Sequence, residues 1–350
     1  MTFDLFNSLL TGVFVLLLLS SLMMMVLKNA IVEKYLYIAI SIACISLATL
    51  RPFGITHDDE NYQWHAEHTC KISECGLEQE LHNYDVGYFF LLSIAIEFFD
   101  SYQAVLFLAG LALAIKLALI ARMTSYSLLS LYFYFSVFFL YHDVTQVRAS
   151  MAIALFLWAL YLMGQEQKKL GVFAYGAAML THTQAVIAPL AQMTSKVIRH
   201  RYRRAIIWVL VSQIAIAIHL VPASSIINLI IREDSFRLSE LFIDQSLMGI
   251  KGTNVLIILL LALTVIPLKR MSPPANLLAF CFASVVIGYV FYWLFAGIHV
   301  LSDRILQFFW VPLAILVSLG KLHKPTYIAT VLVGSMFFML TAYIAPILES

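Results

Sequence analysis

Long apolar runs separated by short polar stretches recur along the whole chain. Each run is long enough to cross about 30 Å of hydrocarbon as a helix. The first run, Phe3 to Leu27, is too long for a signal-peptide core and lacks a basic start, so we expect a retained first helix. The pattern predicts about ten crossings, at about 4–27, 34–50, 103–121, 126–142, 149–164, 205–221, 254–268, 275–297, 305–319 and 326–345.

Two further apolar segments are expected to make no net crossing. Val86 to Phe99 contains fourteen residues, which as a helix would span only about 21 Å. Gly171 to Met193 lies between two basic loops, so it must enter and return on the same side. It is expected to form a re-entrant pair of short arms or two short helices, with His182 at the turn. The sequence therefore predicts an all-α polytopic membrane protein with two re-entrant or short membrane-embedded segments.

The composition excludes a water-soluble protein. Hydrophobic residues make up 62% of the chain, charged residues only 12%, and the mean hydropathy is +0.89. Soluble domains carry about 25% charged residues. We find no internal repeat or linker, so the chain is expected to be a single integral membrane domain over 1–350, with outer-face loops at about 51–102 and 222–253.

The basic residues predict the orientation, because lysine and arginine collect in cytoplasmic loops. The clusters expected inside are Lys28/Lys34, Lys116/Arg122, Lys168/Lys169, Lys196 to Arg204, Lys269/Arg270 and Lys321/Lys324. Both termini then lie on the outer, periplasmic side of a bacterial inner membrane. Of the 20 acidic residues, only Glu33 and Glu166 are expected inside. Since the carboxylates were not used to set the orientation, their segregation supports it.

The four cysteines fall into two groups. Cys44 and Cys281 lie within predicted helices, where cysteine behaves as a small apolar residue. Cys70 and Cys75 both lie in the first outer loop. An oxidising periplasm would permit a small structural disulfide between them, and the sequence leaves this open.

Arginines at predicted helix ends are the first candidates for chemistry. Arg51, Arg148, Arg304 and one of Arg232 or Arg237 converge on the outer face. Arginines at membrane depth usually pair with another group or contact a ligand, although a single one often only snorkels to the headgroups. Several on one face favour an anionic ligand. Guanidinium groups bind phosphate in bidentate fashion, so a lipid-linked phosphate or diphosphate fits.

A histidine and a run of carboxylates are the next candidates. A lone apolar-context histidine such as His182 is more often a core residue, but its place at the tip of a re-entrant element favours a function. Asp58, Asp59 and Glu60 form either a solvated turn or a general base and sugar clamp. No HExxH or paired Cys/His motif is present, so no metal and no cofactor are expected.

The order of these features resembles the EpsG-type branch of the Wzy oligosaccharide-repeat-unit polymerases. In RPFGITHDDENY, Arg51, Gly54, Asp58 and Tyr62 match an Arg, Gly, Asp-x-x-x-Tyr pattern. The later stretches that resemble the family are NYDVGYFFLLSIAIEFF, QVRASMAIALFLWALYLM with Arg148, LTHTQAVIAPLA with His182, and SDRILQFFW with Arg304. The resemblance covers most of the chain.

The resemblance implies a metal-independent, GT-C-like membrane glycosyltransferase that acts at the periplasmic face. It would transfer a growing glycan from undecaprenyl diphosphate onto the non-reducing sugar of another lipid-linked repeat unit. The implied partners are the undecaprenyl-diphosphate-linked oligosaccharide, membrane lipid and a chain-length-regulating co-polymerase, with no nucleic acid.

Roles for individual residues follow from this chemistry. Arg148 and Arg304 are predicted to bind the donor diphosphate, with Arg51 supporting them or gripping the acceptor's diphosphate. Asp58 is the first candidate for the general base and His182 the second. Predicted sugar or acceptor contacts are Asp59, Tyr62, Trp64, Tyr84, Gln146 and Asp303.

Three alternatives remain open at this stage. An O-antigen ligase would share the donor and the arginines, and differs only in its acceptor. A membrane acyltransferase would place its histidine near an early arginine, which His57 after Arg51 mimics loosely. A flippase or transporter would carry ionisable residues in many helix middles. Their concentration at one face favours an enzyme.

Overall fold

The computed structural model describes residues 1–56, 58–75, 85–198, 275–295, 299–318, 324–339 and 342. All regular secondary structure in these ranges is helical. The first half contains α1 (Phe3–Leu27), α2 (Ala30–Thr49), α3 (Asp58–His68), α4 (Ile72–Cys75), α5 (Val86–Ala95), α6 (Ser101–Met123), α7 (Ser127–Tyr134), a π-helix (Phe135–Thr145) and α8 (Val147–Gly164). Then follow α9 (Lys168–Thr181), a 3₁₀ turn (Thr183–Ile187), α10 (Ala188–Ile198), α11 (Ala275–Leu294), α12 (His299–Trp310), α13 (Leu313–Leu316) and α14 (Lys324–Met339).

Five of these segments are long and apolar enough to cross a membrane. They are Phe3–Leu27, Ala30–Thr49, Ser101–Met123, Ser127–Thr145 and Val147–Gly164. Each coincides, within a few residues, with one of the first five predicted crossings, so these apolar helices are confirmed. The predicted crossings at 205–221 and 254–268, and the outer loop at 222–253, lie outside the described residues.

The predicted crossing at 305–319 is wrong in its boundaries. The helix begins earlier, at His299, and ends at Trp310, and the short helix α13 follows it. Pro312 lies in the break. Proline has no amide hydrogen to donate to the preceding turn, and its ring clashes with that turn, so a continuous helix is interrupted there.

Both segments predicted to make no net crossing are short helical elements. The helix α5 has ten residues, which corresponds to about 15 Å. The segment after α8 consists of α9 and α10, broken at His182, whose backbone is extended with φ −156° and ψ 130°. A Cβ at Gly171 in α9 would lie 2.8 Å from Met163, and Gln192 Nε2 in α10 lies 3.6 Å from the Met163 sulfur. Both arms therefore pack beside the end of α8, with His182 at the turn between them, as predicted.

The first and the last described helices pack on α7. Phe14 of α1 stacks on Phe338 of α14 with ring centroids 3.9 Å apart, and lies 5.8 Å from the Tyr132 ring. Tyr132 in α7 donates a hydrogen bond to the carbonyl of Val331 at 2.8 Å. From Leu128 to Tyr134 every side chain of α7 is buried, so this helix lies in the middle of the bundle.

The corner formed by α3, α4 and α5 is held by covalent and polar contacts. Cys70 is disulfide-bonded, whereas Cys44 and Cys281 are buried free thiols, as the sequence analysis expected of them. The Ser93 hydroxyl donates to the Cys70 carbonyl at 2.5 Å, and the Ser73 amide donates to Glu97 at 2.8 Å. These bonds join the segment between α3 and α4, and α4 itself, to the helix α5 and the residues directly after it.

Lys116 corrects one assumption of the orientation argument. It was assigned to a cytoplasmic loop, and Asp143 to an outer turn, but the two form an ion pair in which both side chains are completely buried. The reason is that α8 begins inside the bundle. The helix α6 starts at Ser101, about four turns before Lys116, whereas Ser150, which also bonds Lys116, is only three residues from the start of α8. The charge of Lys116 therefore carries no information about orientation.

Candidate active site

Arg51 and Asp59 form a sealed ion pair where α2 leads into α3. Arg51 Nη2 lies 2.6 Å from Asp59 Oδ1, Nη1 lies 2.9 Å from Oδ2, and neither side chain is exposed. The backbone N–H groups of Gly54 and Thr56 donate to Oδ2 at 3.0 and 3.3 Å. Gly54 has a positive φ of 85°, which glycine adopts without strain. The loop between the two helices thus closes around the carboxylate.

Burial acts to raise the pKa of the Asp59 carboxyl, but Arg51 and the bonds from Thr56 outweigh it, so this pKa lies below its usual value. Arg51 was predicted to bind a diphosphate and Asp59 to contact a sugar. In this structure each side chain is occupied by the other and has no surface for a ligand. The pair is placed to hold the loop before α3, which carries Tyr62.

Asp85 brings three distant segments together. Its Oδ2 lies 3.1 Å from Arg148 Nη1 and 3.5 Å from His182 Nδ1, and its Oδ1 accepts a hydrogen bond from the Thr183 amide at 3.2 Å. Asp85 directly precedes α5, Arg148 lies in the first turn of α8, and His182 lies in the break after α9. We call Asp85, Arg148 and His182 the Asp85 cluster.

The electrostatics of the cluster keep its carboxylate ionised. Burial acts to raise the pKa of Asp85, but His182, the Arg148 guanidinium and the Thr183 amide together lower it below its usual value. The carboxylate therefore carries its charge at neutral pH. It can orient both the guanidinium and the imidazole at once.

Local sequence explains why the three segments meet. A Cβ at Gly87 would lie 2.9 Å from the backbone of Leu180 and Thr181, so only glycine allows α5 to lie directly on the last turn of α9. This close approach brings Asp85 to His182. Helical side chains point back towards the N-terminus, which directs Arg148 over the turn before α8.

Tyrosines border the cluster on the side of α3 and α5. The Tyr62 hydroxyl accepts a hydrogen bond from the Arg148 amide at 3.4 Å, and its ring centroid lies 6.0 Å from Arg148 Cζ. Burial raises the pKa of Tyr62 although Arg148 opposes it, so the phenol stays neutral. Tyr88 is completely buried, and its hydroxyl has no hydrogen-bond partner among the described residues. Burial and the charge of Arg148 lower the pKa of nearby His65, which favours its neutral form.

The Asp85 cluster is accessible from outside the protein, whereas the Arg51–Asp59 pair is fully buried. The Arg148 side chain is 33% exposed and that of His182 14% exposed. Arg148 Nε has no partner within the described part of the chain. A buried polar group without a partner costs about 1–3 kcal/mol, so such groups beside an accessible guanidinium are typical of a site that a ligand completes.

The other predicted site residues lie around this cluster or apart from it. Asp58 is half-buried, one helical turn before Tyr62, and Gln146 is half-buried at the start of α8. Trp64 is 56% exposed and stacks on His68 with centroids 4.4 Å apart. Within α12, Asp303 is half-buried and Arg304 exposed. Tyr84, Arg232 and Arg237 lie outside the described residues.

Asp85 and Tyr88 are not among the site residues that the sequence predicts. Asp85 was counted only as one of many acidic residues in the first outer loop. The usable signal was its position immediately before the short apolar helix, in DVGY, because a carboxylate at a helix start in an apolar context needs a partner. No group of three or more His, Cys, Asp or Glu side chains that could hold a metal ion occurs in the described ranges.

The fold and the site define a helical membrane protein whose candidate site joins a guanidinium, a carboxylate and an imidazole. The model of the EpsG family matches residues 34–349, essentially the whole chain. The chain belongs to the EpsG family, which is Wzy-type polymerase-like, so the predicted resemblance is confirmed. No curated protein and no solved structure matches the chain.

Proposed function

We propose that this protein is a polysaccharide polymerase that transfers a growing glycan from undecaprenyl diphosphate to another lipid-linked repeat unit. Membership of the EpsG family supports the coarser statement, a polysaccharide polymerase-like membrane protein. In the full proposal the reaction takes place at the periplasmic face of the inner membrane and needs no metal ion. Both termini of the chain lie on that same side. The distribution of basic residues along the chain supports this orientation.

The observation that carries the proposal is the accessible Arg148 guanidinium, held by Asp85 next to His182. In the reaction a hydroxyl of the acceptor sugar forms a bond to the anomeric carbon of the donor glycan. The bond from that carbon to the diphosphate oxygen breaks, and the electron pair leaves with the lipid diphosphate. A preorganised guanidinium stabilises this developing negative charge.

His182 fits the general base better than Asp58, the first candidate from the sequence. The attacking hydroxyl and the departing diphosphate act on the same anomeric carbon, so the base and the cation must belong to one site, and His182 shares Asp85 with Arg148. Asp85 faces Nδ1 of the imidazole, which leaves Nε2 to accept the proton from the acceptor. Asp58 lies on α3 one turn from Tyr62, where it would contact the acceptor sugar instead.

The remaining predicted residues take supporting roles in this proposal. Tyr62, Trp64 and Gln146 would contact sugar rings or hydroxyls around the cluster, since aromatic faces and amides suit carbohydrate. Arg304, exposed on α12, would supply a second positive charge for a diphosphate. The partners of the protein in this proposal are the lipid-linked donor and a co-polymerase.

The test is the glycan profile of a strain that lacks the gene and is complemented with wild type, Arg148→Ala or His182→Ala. Arg122→Ala is the matched control, because Arg122 is an exposed arginine in the last turn of α6. Protein levels in the membrane are equalised. We expect both site variants to lose the polysaccharide ladder and to retain the single repeat unit, with the control unchanged.

Two other outcomes would contradict the proposal. Loss of every unit, including the first, would indicate a ligase or a flippase instead. A ladder of normal length and amount in Arg148→Ala would exclude the role of Arg148 at the diphosphate.

A further inference from the structure

A buried polar network lies beside Arg148 in the chain, because its member Ser150 follows Arg148 by two residues. Asp143 Oδ1 accepts hydrogen bonds from Lys116 Nζ and from the Ser150 hydroxyl, the latter at 2.7 Å. Lys116 also donates to the Ser150 oxygen at 2.7 Å, and the Tyr134 hydroxyl donates to Asp143 Oδ2 at 2.5 Å. Lys116, Asp143, Ser150 and Tyr134 are each at most 1% exposed. No ligand could reach these groups, so any effect they have on chemistry must act through another residue.

The network joins the two helix ends on either side of Arg148. Asp143 lies in the last turn of the π-helix, and Ser150 lies in the first turn of α8. Between them the chain turns at Gln146, and Arg148 follows two residues later. Gln146 makes no side-chain capping bond to α8. The Lys116–Asp143–Ser150 triangle is therefore a side-chain clamp across this turn.

The π-helix strengthens this interpretation. Segments with π geometry are rare and occur frequently at functional sites. Here the π segment covers Phe135–Thr145 and ends just before Gln146, where the chain turns into the helix that carries Arg148. An uncompensated buried charge would be costly, and a buried ion pair is weak evidence for stability alone. A fully hydrogen-bonded pair at this place is better explained by the geometry that it maintains.

We propose that the buried Lys116–Asp143 pair, with Ser150, is a positioning device that sets the start of α8 and thereby aims Arg148 at the leaving diphosphate. This inference rests on the proposed function. Lys116 and Asp143 are positioning residues and do not touch the substrate. Removal of the pair tilts the first turn of α8, and Arg148 then misses the developing charge although its own contacts are chemically intact.

The experiment compares polymerisation rates in membranes or detergent with lipid-linked repeat units as substrate. The main variant is Lys116→Met/Asp143→Asn, which removes both charges together and leaves no unpaired buried ion. We expect kcat to fall by about ten- to a hundredfold, the scale of a displacement of about 1 Å at a catalytic group. The KM for the donor changes much less, because the guanidinium is still present to bind it.

Tyr37→Phe is the matched control. The Tyr37 hydroxyl donates to the Leu117 carbonyl at 2.6 Å, one residue from Lys116. Tyr37 is also buried, but it is remote in sequence from the turn. The Tyr37→Phe variant therefore loses a buried hydrogen bond to α6, the helix that carries Lys116. We expect a lower melting temperature with an unchanged kcat.

A double-mutant cycle separates positioning from general structural damage. The Arg148→Lys variant is expected to keep some activity. Adding Lys116→Met/Asp143→Asn to it should lower kcat only slightly further, because the pair acts through the position of the Arg148 guanidinium. A full additional loss in that background, or a wild-type kcat in the double variant, would overturn the inference. Absence of polymerisation by the wild type under the same conditions would instead contradict the proposed function.

Discussion

Two arginine–aspartate pairs on the same side of the bundle have similar chemistry and opposite accessibility. Arg51 and Asp59 lie eight residues apart in the sequence and have no exposed side-chain surface. Arg148 and Asp85 lie 63 residues apart, and the arginine is one third exposed. The first pair joins two ends of one loop, whereas the second joins α5 to α8 and includes His182.

The difference lies in what completes each carboxylate. The loop itself supplies the N–H groups of Gly54 and Thr56 to Asp59, and Arg51 covers both carboxylate oxygens, so no surface of the pair is left exposed. Asp85 receives one backbone bond, from Thr183, and shares its second oxygen between Arg148 and His182. The shared oxygen leaves the guanidinium with capacity for a further anion. An arginine at a helix end is thus a site candidate only when its carboxylate partner does not saturate it.

The largest effect is expected from Arg51→Ala. Removing one partner of a buried ion pair costs about 3–5 kcal/mol because the other charge stays buried and unpaired. We expect a large loss of folded protein in the membrane, measured by detergent-solubilised yield and thermal unfolding. Arg51→Met/Asp59→Asn should recover much of this loss and retain polymer synthesis. Normal yield with absent activity in Arg51→Ala would instead place Arg51 at the ligand.

Arg148→Lys should have the next largest effect. It should lower the polymerisation activity and leave the yield of folded protein unchanged. Lysine keeps the charge but lacks the planar fork that can hold Asp85 and a phosphate oxygen together. A lost hydrogen bond to a charged group is worth about 1.5–3 kcal/mol, so the polymerisation rate should fall about ten- to a hundredfold. The rate is measured from ladder formation at matched protein levels. A wild-type rate would show that the bidentate geometry is unimportant.

Gly87→Ala tests whether the open pair depends on the close approach of α5 to α9. The added methyl group would meet the backbone of Leu180 and Thr181, which cannot rotate away. Overpacking of this kind costs about 1–3 kcal/mol, and Asp85 should separate from His182. We expect reduced activity together with a lower melting temperature. Gly176→Ala is the control, since nothing lies within 4 Å of a Cβ there and the helix should gain slightly in stability.

The smallest effect is expected from moderate acidification. The pKa values of Asp59 and Asp85 both lie below the usual carboxyl value in the folded protein. The stabilisation that each contributes is therefore fully present above the unfolded-state pKa of about 3.9. It is lost only as the pH falls through the lower, folded-state value.

Thermal unfolding measured from pH 7 to pH 3 checks this expectation. The contributions of the two carboxylates should not change between pH 7 and pH 5, and should decline below about pH 4. Asp85→Asn should make the acid part of the curve shallower, because a carboxylate that takes up a proton on unfolding is gone. An acid curve identical to that of the wild type would contradict the lowered pKa of Asp85.

Local sequence properties predicted much of the helical architecture. The first five apolar helices, the short helix after residue 85 and the break at His182 all follow from run length and from the basic residues that flank each run. The broken helix at Pro312 was missed because the hydropathy of the segment outweighed a proline whose effect was readable from the sequence. The sequence also indicated Arg148 and His182 as members of one site, through their motifs and their expected depth.

The sequence by itself determined a helical membrane protein of the EpsG family and predicted arginines near one face of it. Only the tertiary structure decided which cationic side chain is available to a ligand, because availability depends on the group with which each charge is paired. Asp85 meets Arg148 and His182, and Asp143 meets Lys116, across separations of 27 to 97 residues, which no local periodicity encodes. Contacts at such separations are set by how far each helix extends before its neighbour begins. The offset between neighbouring helices, like the recessed start of α8, decides whether a charge faces a ligand or another side chain.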